Sequence, residues 1–127
     1  MSTIKSFDPE TLETRDLHQL LLSAIAPRPI AFASTIDSKG NVNLSPFSYF
    51  NVFSSNPPIL IFSPSRRVRD NTTKHTLQNA DDTREVVINM VDYSIVEQMS
   101  KSSNEYAKGV NEFTETGLTE VSSLKVK

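Results

Sequence analysis

Two strand-like segments separated by one block of turn residues constrain this chain more than any other feature. From Ile30 onward, Ile30, Phe32 and Ser34 alternate with small residues, and β-like text resumes over Val42 to Phe50. Between them stands Asp37-Ser38-Lys39-Gly40-Asn41, where Asp and Asn side chains bond back to their own backbone and glycine accepts a positive φ. The pattern predicts an antiparallel hairpin. Asn56-Pro57-Pro58 then favours an extended entry into Ile59-Leu60-Ile61-Phe62, a continuous apolar run of the kind found in a strand buried on both faces. That run is expected to be a central strand. Arg84 to Val91 has the β-branched content and length of a further strand.

Helical text lies around these strands. Leu17, Leu20, Leu21 and Ala24 recur at three- and four-residue spacing and predict an amphipathic helix over Thr14 to Ile25, ended by Pro27 and Pro29. Asp70 is expected to cap a short helix through about Asn79. Ser94-Ile95-Val96-Glu97 reads as a capping box opening a helix to about Ser100, and Ser102-Ser103-Asn104-Glu105 reads as a second. Leu118 to Lys127 predicts a turn and then a strand through Val121, Leu124 and Val126, left as an exposed edge. Four or five strands with inserted helices imply a mainly antiparallel barrel or curled sheet with peripheral helices, short of closure. A chain of 127 residues fits one core, so residues 1–127 are read as a single domain.

Composition removes several function classes. Thirteen Lys and Arg against fifteen Asp and Glu leave a net charge of -2, so overall charge makes neither nucleic acid nor an anionic membrane the default partner. The absence of cysteine excludes disulfides, thiolate nucleophiles and Cys-ligated metals, and His18 and His75 show no metal-binding spacing. The opening residues carry four acids by Asp16 with no early apolar run, unlike a secretory signal, and no apolar stretch approaches the roughly 20 residues of a membrane span. A cytoplasmic location is expected.

Three segments contain candidate binding residues. Arg28 lies close in sequence to the hydroxyls of Ser34 and Thr35; the alternative, which the segment alone favours, is a solvated arginine beside hydroxyls that only satisfy backbone. Asn43-Leu44-Ser45-Pro46-Phe47-Ser48-Tyr49-Phe50-Asn51 mixes aromatics with amides and hydroxyls, a surface suited to a planar aromatic ligand or simply to a core. In the third segment Arg66, Arg67, Arg69 and Lys74 put four of the thirteen cations within nine residues. They stand before a predicted helix start, where backbone N–H groups and the helix dipole favour phosphate; the alternatives are a solvated basic loop or a nucleic-acid contact. No G-x-S-x-G elbow, Walker loop or G-x-G-x-x-G loop occurs, so a hydrolase reading has little support.

Taken together these blocks resemble the flavin reductase-like, FMN-binding split-barrel family, which includes flavoredoxins and the reductase components of two-component monooxygenases. The matching residues are Pro27-Arg28-Pro29-Ile30-Ala31, Ser34-Thr35, Gly40-Asn41, Asn43 to Asn51, Asn56-Pro57-Pro58, Ser63, Arg66-Arg67, Lys74 with Thr76, Asn79, Val86-Val87-Ile88-Asn89 and Asn111-Glu112-Phe113. The resemblance implies a split β-barrel that forms a homodimer, with FMN near the subunit interface and NADH or NADPH as reductant. It implies that Arg28, Ser34, Thr35, Ser48, Tyr49, Phe50 and Asn51 bind the cofactor, mostly along its isoalloxazine and ribityl parts. Ser63, Arg67, Lys74 and Thr76 would face its phosphate. Flavin chemistry also explains the missing acid–base pair, because hydride and electron transfer to a flavin need positioning more than a protein base.

Two departures from the family pattern stand out. The usual Lys-Asp-Thr reads Lys74-His75-Thr76, and no catalytic role is assigned to His75. Family members also continue past the Val121 to Lys127 region with further barrel strands, so the chain resembles an N-terminal portion with its barrel incomplete at the C-terminal end. A partner chain is then expected to cover the open sheet edge. Three readings follow: an FMN-dependent NAD(P)H oxidoreductase, a flavin-binding electron carrier reduced by a redox partner protein, and a split-barrel interaction module that binds no flavin.

Overall fold

The computed structural model describes residues 4–127. Strand β1 (Ala31–Ile36) pairs antiparallel with β2 (Val42–Phe47) as the predicted hairpin, from Ala31 opposite Phe47 to Ile36 opposite Val42. The turn follows the expected chemistry: Asp37 Oδ1 accepts the N–H groups of Lys39 at 2.8 Å and Asn41 at 2.9 Å, and Gly40 takes φ +89°. That backbone conformation is strained for a residue with a Cβ. The other edge of β1 pairs antiparallel with β5 (Val87–Asn89), giving a three-stranded sheet in the order β2-β1-β5.

Being the middle strand, β1 is buried on both faces, and Ala31, Phe32 and Ala33 are inaccessible or nearly so. Ala31, Ala33 and Phe47 form the core with Phe50, Phe62, Val86 and Ile88 packed against them. Helix α1 (Thr14–Ala24) precedes the sheet, α2 (His75–Thr83) packs on β1, and α3 (Val96–Ser102) and α4 (Glu112–Thr116) pack on β2. A carboxylate oxygen of Glu112, at the start of α4, accepts the Leu44 N–H at 2.9 Å and so satisfies a buried backbone donor of β2. The architecture is mainly sheet with peripheral helices, every strand pair is antiparallel, and the described residues form no closed barrel.

Several elements depart from the sequence-based expectation. The segment Val42 to Phe50 is broken at Ser48-Tyr49, and the chain leaves the first sheet to begin β3 (Phe50–Ser55). Pro46 brings no N–H to the ladder, and Arg28 Nε donates to Ser48 Oγ at 3.3 Å just at the bend. The apolar run expected at the centre of a sheet is instead β4 (Pro58–Phe62), which pairs with β3 alone in a two-stranded sheet. Ile59, Leu60 and Ile61 are 40%, 52% and 50% exposed. Continuous apolarity marks a surface to be covered, but it does not say that the cover is a neighbouring strand.

Asp70 closes a loop turn instead of capping a helix: its Oδ1 accepts the Thr72 N–H at 3.0 Å. The Arg67 N–H bonds Thr72 O at 2.9 Å, so the loop completes before α2 starts at His75. Strand β5 occupies only the middle of Arg84 to Val91. The cap before α3 is Asp92, which takes the Ser94 N–H at 2.8 Å and starts a 3-10 turn over Tyr93–Ile95. Ser102 ends α3 and does not open a helix; the next helix is α4, capped by Asn111 Oδ1 on the Phe113 N–H at 2.9 Å. Residues 118–127 form no strand, since Val121 and Leu124 are exposed and find no ladder partner among the described residues.

Candidate phosphate-binding site

The basic segment folds into a loop whose Arg67 is held by its own neighbours. Arg67 Nη1 donates to Thr72 Oγ1 at 3.0 Å and Thr73 O at 2.8 Å, so the guanidinium is fixed, and its Nε lies 3.6 Å from a Glu105 carboxylate oxygen. The loop delivers Lys74 to the N-cap position of α2, and the first turn of that helix has no side-chain cap. Its orphan N–H groups therefore add donors beside the cations.

Arg67, Lys74, His75 and Thr76 line one polar cleft of about 270 Å³ together with Asn43 and Ser45 of β2 and Glu105 of the α3–α4 loop. Lys74 Nζ sits 4.8 Å from the centroid of the Phe47 ring, a cation–π placement. Burial, and then the Arg67 charge, hold the Lys74 ammonium below the usual lysine range. The same two causes, with Lys108 after them, hold His75 below the ordinary histidine value, so at neutral pH it meets the cleft as a neutral imidazole. An anion placed here relieves the repulsion between Lys74 and Arg67. The donor set fits a phosphate group.

Thr76 is nearly inaccessible and its Oγ1 accepts the Asn43 Nδ2 at 3.0 Å, while Thr35 Oγ1 accepts the Asn79 Nδ2 at 3.2 Å. These two buried bonds lock α2 onto the sheet, and they leave Asn43 at the cleft wall. In the sequence Asn43 and Ser45 stand in the block of aromatics, amides and hydroxyls without being marked as ligands, and Glu105 reads as the acid of a capping box; the structure puts all three at the cleft.

The remaining candidates are dispersed. Ser34 and Thr35 line a second cleft of about 410 Å³, at the β1–β5 end of the sheet beside residues 120–127, which shares no lining residue with the first. Arg28 donates Nη1 to Leu22 O at 2.7 Å and to Ile25 O, which ties its charge to the C-terminal end of α1. Tyr49 Oη lies 3.0 Å from His18 Nδ1 of α1, and Tyr49 O accepts the Ser63 N–H at 2.9 Å. Phe50 packs on the core, and Asn51 is exposed with its Oδ1 taken by the Val52 N–H at 2.8 Å. Ser63 is exposed at the end of β4. The structure thus brings Arg67, Lys74 and Thr76 together and leaves Arg28, Ser34, Thr35, Ser48, Tyr49, Phe50, Asn51 and Ser63 outside that cleft. Among the described residues no His, Asp and Glu cluster is arranged to hold a metal ion, and no helix is long and apolar enough to cross a membrane.

Residues 23–127 match the flavin reductase like domain, and the chain belongs to that family. An uncharacterized protein of Aquifex aeolicus (strain VF5) is 43% identical over 124 residues, which is 98% of this chain and 60% of that protein. Nitrilotriacetate monooxygenase component B from Bacillus cereus superposes with a TM-score of 0.91 at 28% identity, covering 99% of this chain and 61% of that one. A solved structure from Shewanella frigidimarina NCIMB 400, described as a candidate flavin reductase with a split barrel domain, gives a TM-score of 0.77 at 32% identity over 96% of this chain and 60% of that one. The chain therefore spans about three fifths of the length of these relatives. Its fold is the split-barrel fold of flavin reductases, unclosed over the residues described.

Proposed function

We propose that this chain binds FMN and takes part in passing reducing equivalents from NADH or NADPH to it, in a homodimer. The observation that carries the reading is the convergence of Arg67, Lys74, Asn43 and Ser45 on one cleft at the open start of α2. Arg67 Nε and Lys74 Nζ hold the phosphate dianion, with the α2 N–H groups as neutral donors. The other residues that would meet the cofactor include Ser48 and Tyr49 at the β2–β3 bend, whose side chains are fixed by Arg28 and His18. A bound flavin supplies the two-electron acceptor that no side chain of this cysteine-free protein offers. The protein's part is to fix orientation, and the membership of the flavin reductase like family supports that division of labour.

The test begins with an absorbance titration of the purified chain with FMN, followed anaerobically by NADH and then NADPH. A bound-flavin spectrum bleached by either nucleotide is expected; bleaching by dithionite alone makes the protein a carrier reduced by another protein. Absence of any bound flavin defeats the proposal. Arg67→Ala is expected to weaken FMN binding by about 1–3 kcal/mol, the usual loss for a charge-assisted hydrogen bond. An unchanged dissociation constant in that variant would remove Arg67 from the site.

A further inference from the structure

The cationic cleft already contains an anion of its own. Glu105 places one carboxylate oxygen 3.0 Å from Arg69 Nη1 and the other 3.6 Å from Arg67 Nε. Its loop is anchored where it leaves α3, with the Ser103 N–H on Ser100 O at 3.2 Å and the Asn104 N–H on Lys101 O at 3.1 Å, and Tyr106 Oη donates to Lys101 O at 3.2 Å. The backbone beside Glu105 is therefore anchored at the cleft, while the carboxylate itself is half exposed. Arg67 Nη1 is committed to Thr72 and Thr73, so the edge formed by Nε and Nη2 is what remains for an incoming anion, and Glu105 faces that edge at Nε.

We propose that Glu105 is an internal competitor for the phosphate group: its carboxylate stands at the Arg67 edge that a phosphorylated ligand would use and must swing away before that ligand is held. This rests on the reading of the cleft as the flavin-phosphate site. Two features suit the role. Glu105 and Arg69 are 51% and 71% exposed, so the pairs are screened and easily exchanged, in the class of surface ion pairs that contribute little to stability. Glu105 also cannot stay in place beside a phosphate dianion, because two anions sharing one guanidinium edge repel each other. The carboxylate thus lowers the affinity for phosphorylated ligand and keeps its release fast, while leaving a ligand without phosphate unaffected. Glu105 selects by subtraction: it narrows the advantage that Arg67 and Lys74 give to a phosphorylated flavin over its unphosphorylated form.

The decisive experiment titrates FMN and riboflavin separately into the wild-type chain, Glu105→Gln and Glu105→Ala by fluorescence quenching at one fixed salt concentration. Both variants are expected to bind FMN roughly three- to tenfold tighter, the gain from removing one or two exposed competing pairs, with riboflavin affinity unchanged. If the wild type prefers FMN over riboflavin and the variants bind FMN no tighter, the competitor role is wrong while the cleft reading stands. Weaker FMN binding in the variants also overturns it, since Glu105 would then position Arg67 for the ligand. Equal affinity of the wild type for FMN and riboflavin overturns the cleft reading itself.

Discussion

Glu112 shows how one side chain can serve the fold and be penalised by it. Its carboxylate is almost fully buried, and burial pushes its pKa above the ordinary glutamate value despite the N–H of Leu44 that partly compensates. A raised folded-state pKa means that this group favours the native state most when protonated, below its unfolded value. That contribution is lost as pH rises through the folded pKa. Glu112→Gln keeps an oxygen acceptor for the Leu44 N–H and removes the titration. Urea unfolding at acid and neutral pH is expected to show the wild type losing stability relative to the variant on going to neutral pH, with the two nearly equal at acid pH. A variant that is less stable than the wild type at neutral pH would mean that the ionised carboxylate is the stabilising form.

At the scale of elements, what the sequence displayed locally could be read and what depended on distant partners could not. The β1–β2 hairpin was legible because Asp37, Gly40 and Asn41 make their bonds within five residues. Strand β3 was not, since the irregular register between Val52 and Ser54 breaks the two-residue period by which strands are recognised. The cleft was legible through the density of cations from Arg66 to Lys74, whereas the bond from Asn43 to Thr76 spans 33 residues and leaves no local trace. Arg28 is the instructive case, for the resemblance made it a cofactor ligand and the structure uses it on α1. That helix has no basic residue in its last turn, and Arg28 supplies the charge from beyond its end while bonding Ser48 at the β2–β3 bend. Arg28→Ala is expected to cost about 1–3 kcal/mol in urea unfolding, as for loss of charged hydrogen bonds to part-buried carbonyls. Unchanged stability with weakened FMN binding would make Arg28 a cofactor ligand, as the resemblance implies.

For the whole molecule the unresolved demand is the sheet of β3 and β4. Val52 and Leu60, paired across the outer hairpin, are 61% and 52% exposed, and Phe53, Ile59 and Ile61 are exposed on the same two strands, more than one scattered surface residue. If a second copy covers it, as proposed for the homodimer, the contact is isologous and each substitution acts twice. Full burial of a leucine side chain is worth about 1.5–3 kcal/mol and Leu60 is half exposed, so losing that exposed half in both copies makes Leu60→Lys expected to weaken a dimer by at least about tenfold. Light scattering at micromolar concentration is then expected to give twice 14.2 kDa for the wild type and a shift toward 14.2 kDa for the variant. Circular dichroism should stay unchanged, because Leu60 is half exposed and contributes little to the core of a single copy. A wild type that is already monomeric would separate the two halves of the proposal, since the residues lining the cleft around Arg67 and Lys74 come together within one chain.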